Sequence, residues 1–208
     1  MSAPFAHRLL LVRHGQSTWN AEQRWQGQAD PPLSSLGERQ ASAAGAAVQH
    51  LALTRIVTSD LVRARRTAEL LVPPGATVTV DSGLRERHAG DWTGLTRAEI
   101  DERYPGWIDD HRSPPGFEGD EPLLERVLPV VEALLAVTDA PGATLAVTHG
   151  GVIRTVERHF GAPSTPVPNL GGRWLHVESS GGDATILLGD REVLVDPDAV
   201  ALTVPDQL

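Results

Sequence analysis

Hydrophobic positions along this chain fall in short apolar runs set between amphipathic segments. Leu9-Leu10-Leu11-Val12, bounded by Arg8 and Arg13, has the length of a buried strand and is far too short for a membrane helix. Ser34 or Ser35 can cap a helix reaching about His50, since Glu38 falls at the capping-box distance from Ser35. Alanines at 41, 43, 44, 46 and 47 would let that helix pack closely on a sheet. Arg55–Ser59 predicts a second strand, and Asp60 the cap of a helix to about Val72, stopped by Pro73-Pro74-Gly75. Thr77–Val80 predicts a third strand. Residues 81–119 are irregular, with one short helix near Thr96–Arg103. Arg112-Ser113-Pro114-Pro115-Gly116-Phe117 cannot be helix interior and predicts a mobile loop near the site. A helix over about Glu121–Val137 follows, with Pro122 early enough to be tolerated and Pro129 expected to kink it. Thr144–Thr148 predicts a strand and Val152–His159 a helix. Two edge-like strands, near Trp174–Val177 and Thr185–Leu188, precede a tail that carries no functional reading. Strand-like and helical segments thus alternate. That pattern predicts an α/β fold, a three-layer sandwich with a mainly parallel central sheet and helices on both faces. The expected organisation is a single domain over 1–208 with a small cap-like insertion at about 81–120.

Two of the predicted strands end in the same way. Arg13-His14-Gly15 closes the first, and His149-Gly150-Gly151 follows Thr144-Leu145-Ala146-Val147-Thr148. A glycine directly after the histidine lets the chain turn and bring backbone close to a ligand. The carboxyl ends of central strands are where open α/β sheets bind ligands. One such histidine is commonly a satisfied structural side chain; two, the first with an arginine attached, point to a site.

Composition narrows the chemistry. At 208 residues the chain can bury a sizeable core, and 40% hydrophobic with 22% charged residues fits an ordinary globular protein. A balance of 18 basic against 27 acidic residues, net -9, argues against nucleic acid as partner. It leaves room for a small anionic substrate, because a cleft can concentrate positive charge inside an acidic protein. There are no cysteines, so disulfides, thiolate metal sites and cysteine nucleophiles are excluded. The first eight residues contain no signal-peptide core, so a cytoplasmic location and no membrane partner are expected.

Leu11-Val12-Arg13-His14-Gly15-Gln16-Ser17-Thr18-Trp19-Asn20 resembles the signature of the histidine phosphatase superfamily, the phosphoglycerate mutase-like proteins. The resemblance continues through Gln26-Gly27, Leu33-Ser34, Ser59-Asp60-Leu61-Val62-Arg63-Ala64, Leu84-Arg85-Glu86, Gly90-Asp91-Trp92 and Thr148-His149-Gly150, covering roughly residues 8 to 160. It implies the phosphoglycerate mutase-like fold and phosphoryl transfer through a phosphohistidine. No cofactor and no metal are implied, and the histidines have no carboxylates at ligand spacing.

Site residues follow from the matched positions. The resemblance makes His14 the nucleophile, which requires a neutral ring. It makes Arg13 and Arg63 the phosphate-binding arginines, suited by a planar fork that grips two oxygens. Arg65 and Arg66 crowd Arg63, and only the motif selects among them; the alternative is three exposed helix charges. His149 becomes the second imidazole, donating to a nonbridging oxygen, or else a buried histidine bonded to backbone. Gly150-Gly151 open a helix and can add amide donors at an anion. Asn20 matches a residue that touches phosphate, or simply caps its turn. Gln26 and Gly27 match loop positions whose backbone approaches substrate, or form an ordinary polar loop.

Glu86 is the expected proton donor, since like-charge repulsion from bound phosphate favours a protonated carboxyl. An exposed glutamate paired with Arg85 or Arg87 is the alternative. Glu118, Asp120 and Glu121 are weaker competitors in a segment where Gly119-Asp120-Glu121-Pro122 departs from the family's Gly-Gly-Glu-Ser. Trp19 and Trp92 are expected to pack under the site, and Trp25 to face substrate or anchor the core.

Within the family, the short chain between Glu86 and His149 has no room for the long insertion of the cofactor-dependent mutases. Ala89-Gly90-Asp91-Trp92 reads as phosphatase, whereas Glu86-Arg87-His88 reads as mutase and offers Arg87 for a substrate carboxylate. Gln26-Gly27-Gln28, Gly90-Asp91-Trp92-Thr93-Gly94-Leu95 and Asn169-Leu170-Gly171-Gly172 look like the glucosyl-3-phosphoglycerate phosphatase branch. A phosphatase acting on a small phosphorylated metabolite is therefore expected. A phosphoglycerate mutase is the runner-up, and a non-catalytic phosphate-binding module is the remote third. Whether the chain forms a homodimer stays open.

Overall fold

Leu9, Leu10, Leu11 and Val12 are all completely buried, because the strand they form is covered on both faces. In a computed structural model, residues 7–73, 75–136, 142–163, 165–180 and 183–202 are described. The chain runs through β1 (His7–Arg13), α1 (Thr18–Ala21), α2 (Ser35–Gln49), β2 (Leu53–Thr58), α3 (Val62–Leu71) and β3 (Thr79–Val80). It continues through α4 (Arg97–Arg103), α5 (Asp120–Leu135), β4 (Gly142–Thr148), α6 (Gly150–His159), β5 (Gly171–Ser180) and β6 (Asp183–Val193). The six strands form one sheet in the order β3-β2-β4-β1-β5-β6, with β1, β2, β3 and β4 mutually parallel and β5 antiparallel to both neighbours.

Side chains alternate along β1 and divide the core in two. Leu9 and Leu11 pack with Leu123, Val127 and Val131 of α5 and with Val152, Ile153 and Val156 of α6. Leu10 and Val12 face the other way, onto Ala44 and Val48 of α2 and Ala64, Ala68 and Leu71 of α3. Burying each such leucine contributes roughly 1.5–3 kcal/mol. This is the layered α/β sandwich expected from the sequence. A third cluster, Trp25, Trp92, Leu95, Ile100 and Ile108, stands apart from the sheet within and below the irregular segment.

Several local expectations need correction. Ser34, not Ser35, caps α2, its hydroxyl accepting the Gly37 N–H at 3.0 Å. Asp60 does not cap α3; it is held by Arg85 through two hydrogen bonds of 2.7 and 2.5 Å. A bidentate arginine pair outcompetes a capping bond. The first turn of α3 is served instead by Asp30, which accepts the Val62 N–H at 2.6 Å. β3 is only two residues long, and α5 runs one residue earlier than expected, with Pro129 inside it. Pro74 and Val137 lie outside the described residues. α4 forms as expected, with Thr96 and Glu99 in a reciprocal capping box.

β5 is not an edge strand: it lies between β1 and β6, and both strands are longer than the sequence suggested. The charge of its Arg173 is neutralised by Glu157. Glu157 is fully buried and also bound by Arg191. Among the described residues no helix is long and apolar enough to cross a membrane.

Candidate active site

The parallel register of β1 and β4 sets Arg13 beside Thr148, so the next residues of both strands leave the sheet together. His14 donates its backbone N–H to Thr148 O at 3.0 Å, and the His14 and His149 rings meet edge to face with centroids 5.1 Å apart. The chain after His14 is fixed from three sides. Asn169 donates to His14 O at 2.7 Å, Gly15 N–H reaches Thr67 Oγ at 3.0 Å, and Gln16 N–H reaches Gln40 Oε1 at 2.9 Å. Gly15 is required here for close approach rather than for a left-handed turn. A Cβ on it would stand 2.7 Å from Gly37 O, where the start of α2 crosses.

The hydrogen bonds decide the tautomer of His14. Nδ1 lies 2.6 Å from Gly15 O, which can only accept, so Nδ1 carries the proton. Nε2 carries the ring's one lone pair and accepts Arg63 Nε–H with it at 3.2 Å, a long contact, and His14 lines the cavity. Burial above all, then the charges of Arg63 and Arg13, push the His14 imidazole well below its ordinary range, so the ring is neutral. Arg63 is 1% exposed and anchored by Ala29 O at 2.7 Å and Gly27 O at 2.8 Å. Arg66 instead reaches outward to Glu38 and Glu69, so the three neighbouring arginines do not share an environment. Arg13 donates Nη1–H to Val167 O at 2.7 Å, while its buried Nε has no partner. Burial lowers Arg13 to about 9 and Arg63 to about 10, opposed in both by Glu86. Both therefore stay charged at neutral pH.

His149 is completely buried, with its ring against that of His14. Its Nε2 is 2.9 Å from Ser59 Oγ, and its buried Nδ1 has no partner. Burial, then Arg63, His14 and Arg13, hold its pKa well below the usual value.

Glu86 lines the cavity and pairs with neither Arg85 nor Arg87, which bind Asp60 and Asp120 respectively. It accepts the Arg87 N–H at 2.8 Å and the Gly151 N–H at 2.9 Å. The second glycine after His149 makes this possible, since a Cβ at Gly151 would lie 2.2 Å from Glu86 Oε1.

Asn20 caps its turn and also lines the cavity. Its Oδ1 closes a capping box with the Ser17 N–H at 3.2 Å, while its buried Nδ2 has no partner and lines the cavity. Gln26 accepts from Ser17 Oγ at 2.7 Å. Gly27 adopts φ 52°, a left-handed backbone that favours glycine and aims its carbonyl at Arg63. Gly150 also lines the cavity, beside Arg13. Arg87 lines the wall with its guanidinium engaged by Asp120 at 2.8 Å, Thr155 at 2.6 Å and Glu118 O at 3.0 Å. Glu118 pairs with Arg126, and Glu121 is exposed, so neither reaches the histidines.

Trp92 is 1% exposed and meets Trp25 at 5.0 Å between centroids, so Trp25 is both an anchor and part of the cavity wall. Trp19 is half-buried beside Gly94 rather than under the site. The cavity encloses about 790 Å³, enough for a ligand much larger than phosphate. Among the described residues no group of three or more His, Asp or Glu side chains is placed to hold a metal ion.

Sequence reasoning missed Arg154 and Arg158, which also line the cavity. Their spacing of four and eight from Gly150 was a usable signal, because it places all three on one face of α6. Ser59, Asn169 and Thr67 were missed as supports: the first two stood in motifs without an assigned role, and Thr67 carried no local signal.

The family model of the histidine phosphatase superfamily (branch 1) matches residues 9–173, and the chain belongs to that superfamily. It is 40% identical over 178 residues to a glucosyl-3-phosphoglycerate phosphatase of Mycolicibacterium vanbaalenii, covering 79% of each chain. It is 39% identical over 151 residues to a probable phosphoglycerate mutase of Klebsiella pneumoniae, covering 69% of each. Among solved structures, a mycobacterial glucosyl-3-phosphoglycerate phosphatase in complex with VO3 superposes with a TM-score of 0.78 at 34% identity. That match covers 88% of this chain and 98% of the other.

Proposed function

We propose that this protein is a metal-independent phosphatase that hydrolyses a small phosphorylated metabolite through a phosphohistidine on His14. The observation that carries the reading is a neutral imidazole whose Nε2 lone pair is met only by the long Arg63 contact, set among buried nitrogens without partners. Arg13 Nε and Asn20 Nδ2 are such donors, and His149 Nδ1 joins them when it carries the ring proton. Buried polar atoms are almost always paired, and the oxygens of a phosphoryl group would satisfy these three. Relatives named as phosphatases, among them one mycobacterial enzyme solved both with VO3 and with inorganic phosphate, support the same reading.

The chemistry then runs in two steps. His14 Nε2 attacks phosphorus, the ester bond breaks, and the leaving oxygen takes a proton from Glu86. Arg13, Arg63, Asn20 and His149 donate to the nonbridging oxygens, where charge grows in the transition state. Water then attacks the phosphohistidine, gives its proton to Glu86, and releases phosphate, which restores His14. Gln26 and Gly27 shape the floor, and the Gly150 amide adds a donor at the start of α6. Residues about 81–120 act as a cap on a single domain over 1–208, and the enzyme works in the cytoplasm. The substrate is a metabolite of the size class named for the mycobacterial relatives.

Arg63→Lys keeps the charge but loses the three-way grip on His14, Gly27 O and Ala29 O. Turnover is expected to fall on the order of 10²-fold or more while the thermal unfolding midpoint stays near that of the wild type. Arg66→Lys is the control, with little change. Retained activity in the first together with loss in the second would show that the wrong arginine was chosen.

The mutase reading has one observation in its favour, the similarity to probable phosphoglycerate mutases. It is tested with 3-phosphoglycerate and a bisphosphoglycerate primer. The expected outcome is slow phosphate release or none, with little 2-phosphoglycerate formed. Phosphate release from the physiological phosphoester should be insensitive to chelator. Isomerisation well above hydrolysis would overturn the phosphatase reading.

A further inference from the structure

The segment joining α6 to β5 carries three supports of the first histidine motif. Val167 O accepts from Arg13 Nη1 at 2.7 Å, Leu170 N–H donates to Arg13 O at 3.0 Å, and Asn169 Nδ2 donates to His14 O at 2.7 Å. Pro166 and Val167 also line the cavity. Prolines at 166 and 168 have no N–H to give to a neighbour, so the carbonyls of this stretch carry much of its anchoring.

That anchoring comes from β6 and the residue just past it. Arg191 donates to Thr165 O at 3.0 Å and to Pro166 O at 3.1 Å, and Leu194 N–H donates to Leu170 O at 3.0 Å. Both residues lie beyond residue 173, where the match to the family model ends. Arg191 is itself gripped by Glu157 of α6 through bonds of 2.8 and 2.5 Å. Glu157 is completely buried and takes a second guanidinium, Arg173 of β5, at 2.7 Å. Arg173 then donates to Gly189 O at 2.8 Å, within the β5–β6 hairpin, whereas Arg191 turns to the segment. A buried ion cluster adds little net stability, because desolvation offsets the attraction. Its effect here is geometric. The planar fork of Arg191 spans one carboxylate and two carbonyls, and the next carbonyl along the chain, Val167 O, holds Arg13.

The geometry points to Arg191, gripped by the buried Glu157, as a positioning residue: it sets the 165–170 segment and, through Val167 O, orients the Arg13 guanidinium for the phosphoryl group. This rests on the phosphatase reading for the place of that group.

Two matched variants test it. Arg191→Lys keeps a cation for Glu157 and loses the fork that reaches Thr165 O and Pro166 O. Arg173→Lys makes the same change at the same carboxylate and leaves the segment's own bonds in place. Calorimetric titration uses inorganic vanadate as a mimic of the transferring phosphoryl group. Binding is expected to weaken roughly tenfold or more in Arg191→Lys and by less than about twofold in Arg173→Lys, with unfolding midpoints recorded for each. In an Arg13→Lys background the further effect of Arg191→Lys should shrink to within about twofold, because the side chain it orients is gone. Unchanged vanadate binding in Arg191→Lys, an equal loss in Arg173→Lys, or a full effect that persists without Arg13 overturns the inference. Amide exchange at Leu170, whose N–H is bonded to Arg13 O, needs no ligand and should quicken roughly tenfold in Arg191→Lys alone. A wild type that neither binds vanadate nor hydrolyses any phosphoester would sink the phosphatase reading. The Leu170 exchange then decides the rest: quickened in Arg191→Lys alone, it leaves Arg191 as the residue that holds Arg13, and unchanged, it removes that role too.

Discussion

His14→Ala is expected to cut phosphatase turnover roughly 10³-fold or more and to abolish labelling of the protein by the phosphoryl group. Rapid-quench experiments should recover acid-labile phosphate from the wild type and none from the variant. The expectation follows from local geometry. Gly15 O fixes the proton on Nδ1, Arg63 Nε–H meets Nε2 at 3.2 Å, and burial keeps the ring neutral. The same environment sets a pH dependence. An ordinary imidazole takes up its proton as pH falls through about 6.5. Here the charged form is disfavoured, so His14 remains a nucleophile below that point and becomes protonated only as pH falls through its lowered value. The acid-side loss of kcat/KM attributable to His14 should therefore lie well below pH 6.5. A phosphorylated His14→Ala protein, or undiminished activity in it, would remove the covalent mechanism.

What could be read in the sequence was what depends on short-range pattern. The apolar run ending in Arg13-His14-Gly15 and the run ending in His149-Gly150-Gly151 showed two strand ends carrying histidines. Only the sheet order shows that β4 is the direct neighbour of β1, and it is this adjacency that brings the rings together. Arg63 was distinguishable from Arg65 and Arg66 by its place in a motif, although its cause is tertiary. Arg63 reaches the loop that offers Gly27 O and Ala29 O, whereas Arg66 turns to Glu38 and Glu69. Asp60 was misread for the complementary reason. Its capping propensity is local, while its partner Arg85 lies 25 residues away and binds with two hydrogen bonds. β5 was expected to be edge-like, yet it lies between β1 and β6, and its Arg173 is neutralised by Glu157, buried on α6. Arg154 and Arg158 were within reach of helical periodicity, but nothing in a sequence says which face of a helix borders a cavity.

Glu86→Gln is expected to lower turnover by on the order of 10²- to 10⁴-fold for substrates with a poor leaving group, and much less for an aryl phosphate. The substitution is not neutral to the structure. Both Glu86 oxygens accept backbone N–H groups, from Arg87 at 2.8 Å and Gly151 at 2.9 Å. The glutamine must turn its NH₂ toward one of these donors, leaving that contact unsatisfied at a cost of about 1–3 kcal/mol. Loss of activity with one substrate alone would therefore be ambiguous between lost proton supply and a displaced side chain. Comparing two substrates on the same variant removes the ambiguity. Displacement of the side chain, or of the start of α6, lowers both rates alike, whereas loss of the proton donor falls on the alkoxide leaving group, which needs the proton. An aryl phosphate leaves as a stable anion and keeps most of its rate. Equal losses for both substrates would mean that Glu86 orders the Gly150-Gly151 turn rather than delivering a proton. The acid would then have to be sought elsewhere along the cavity wall, where Asp120 is the other carboxylate among the lining residues.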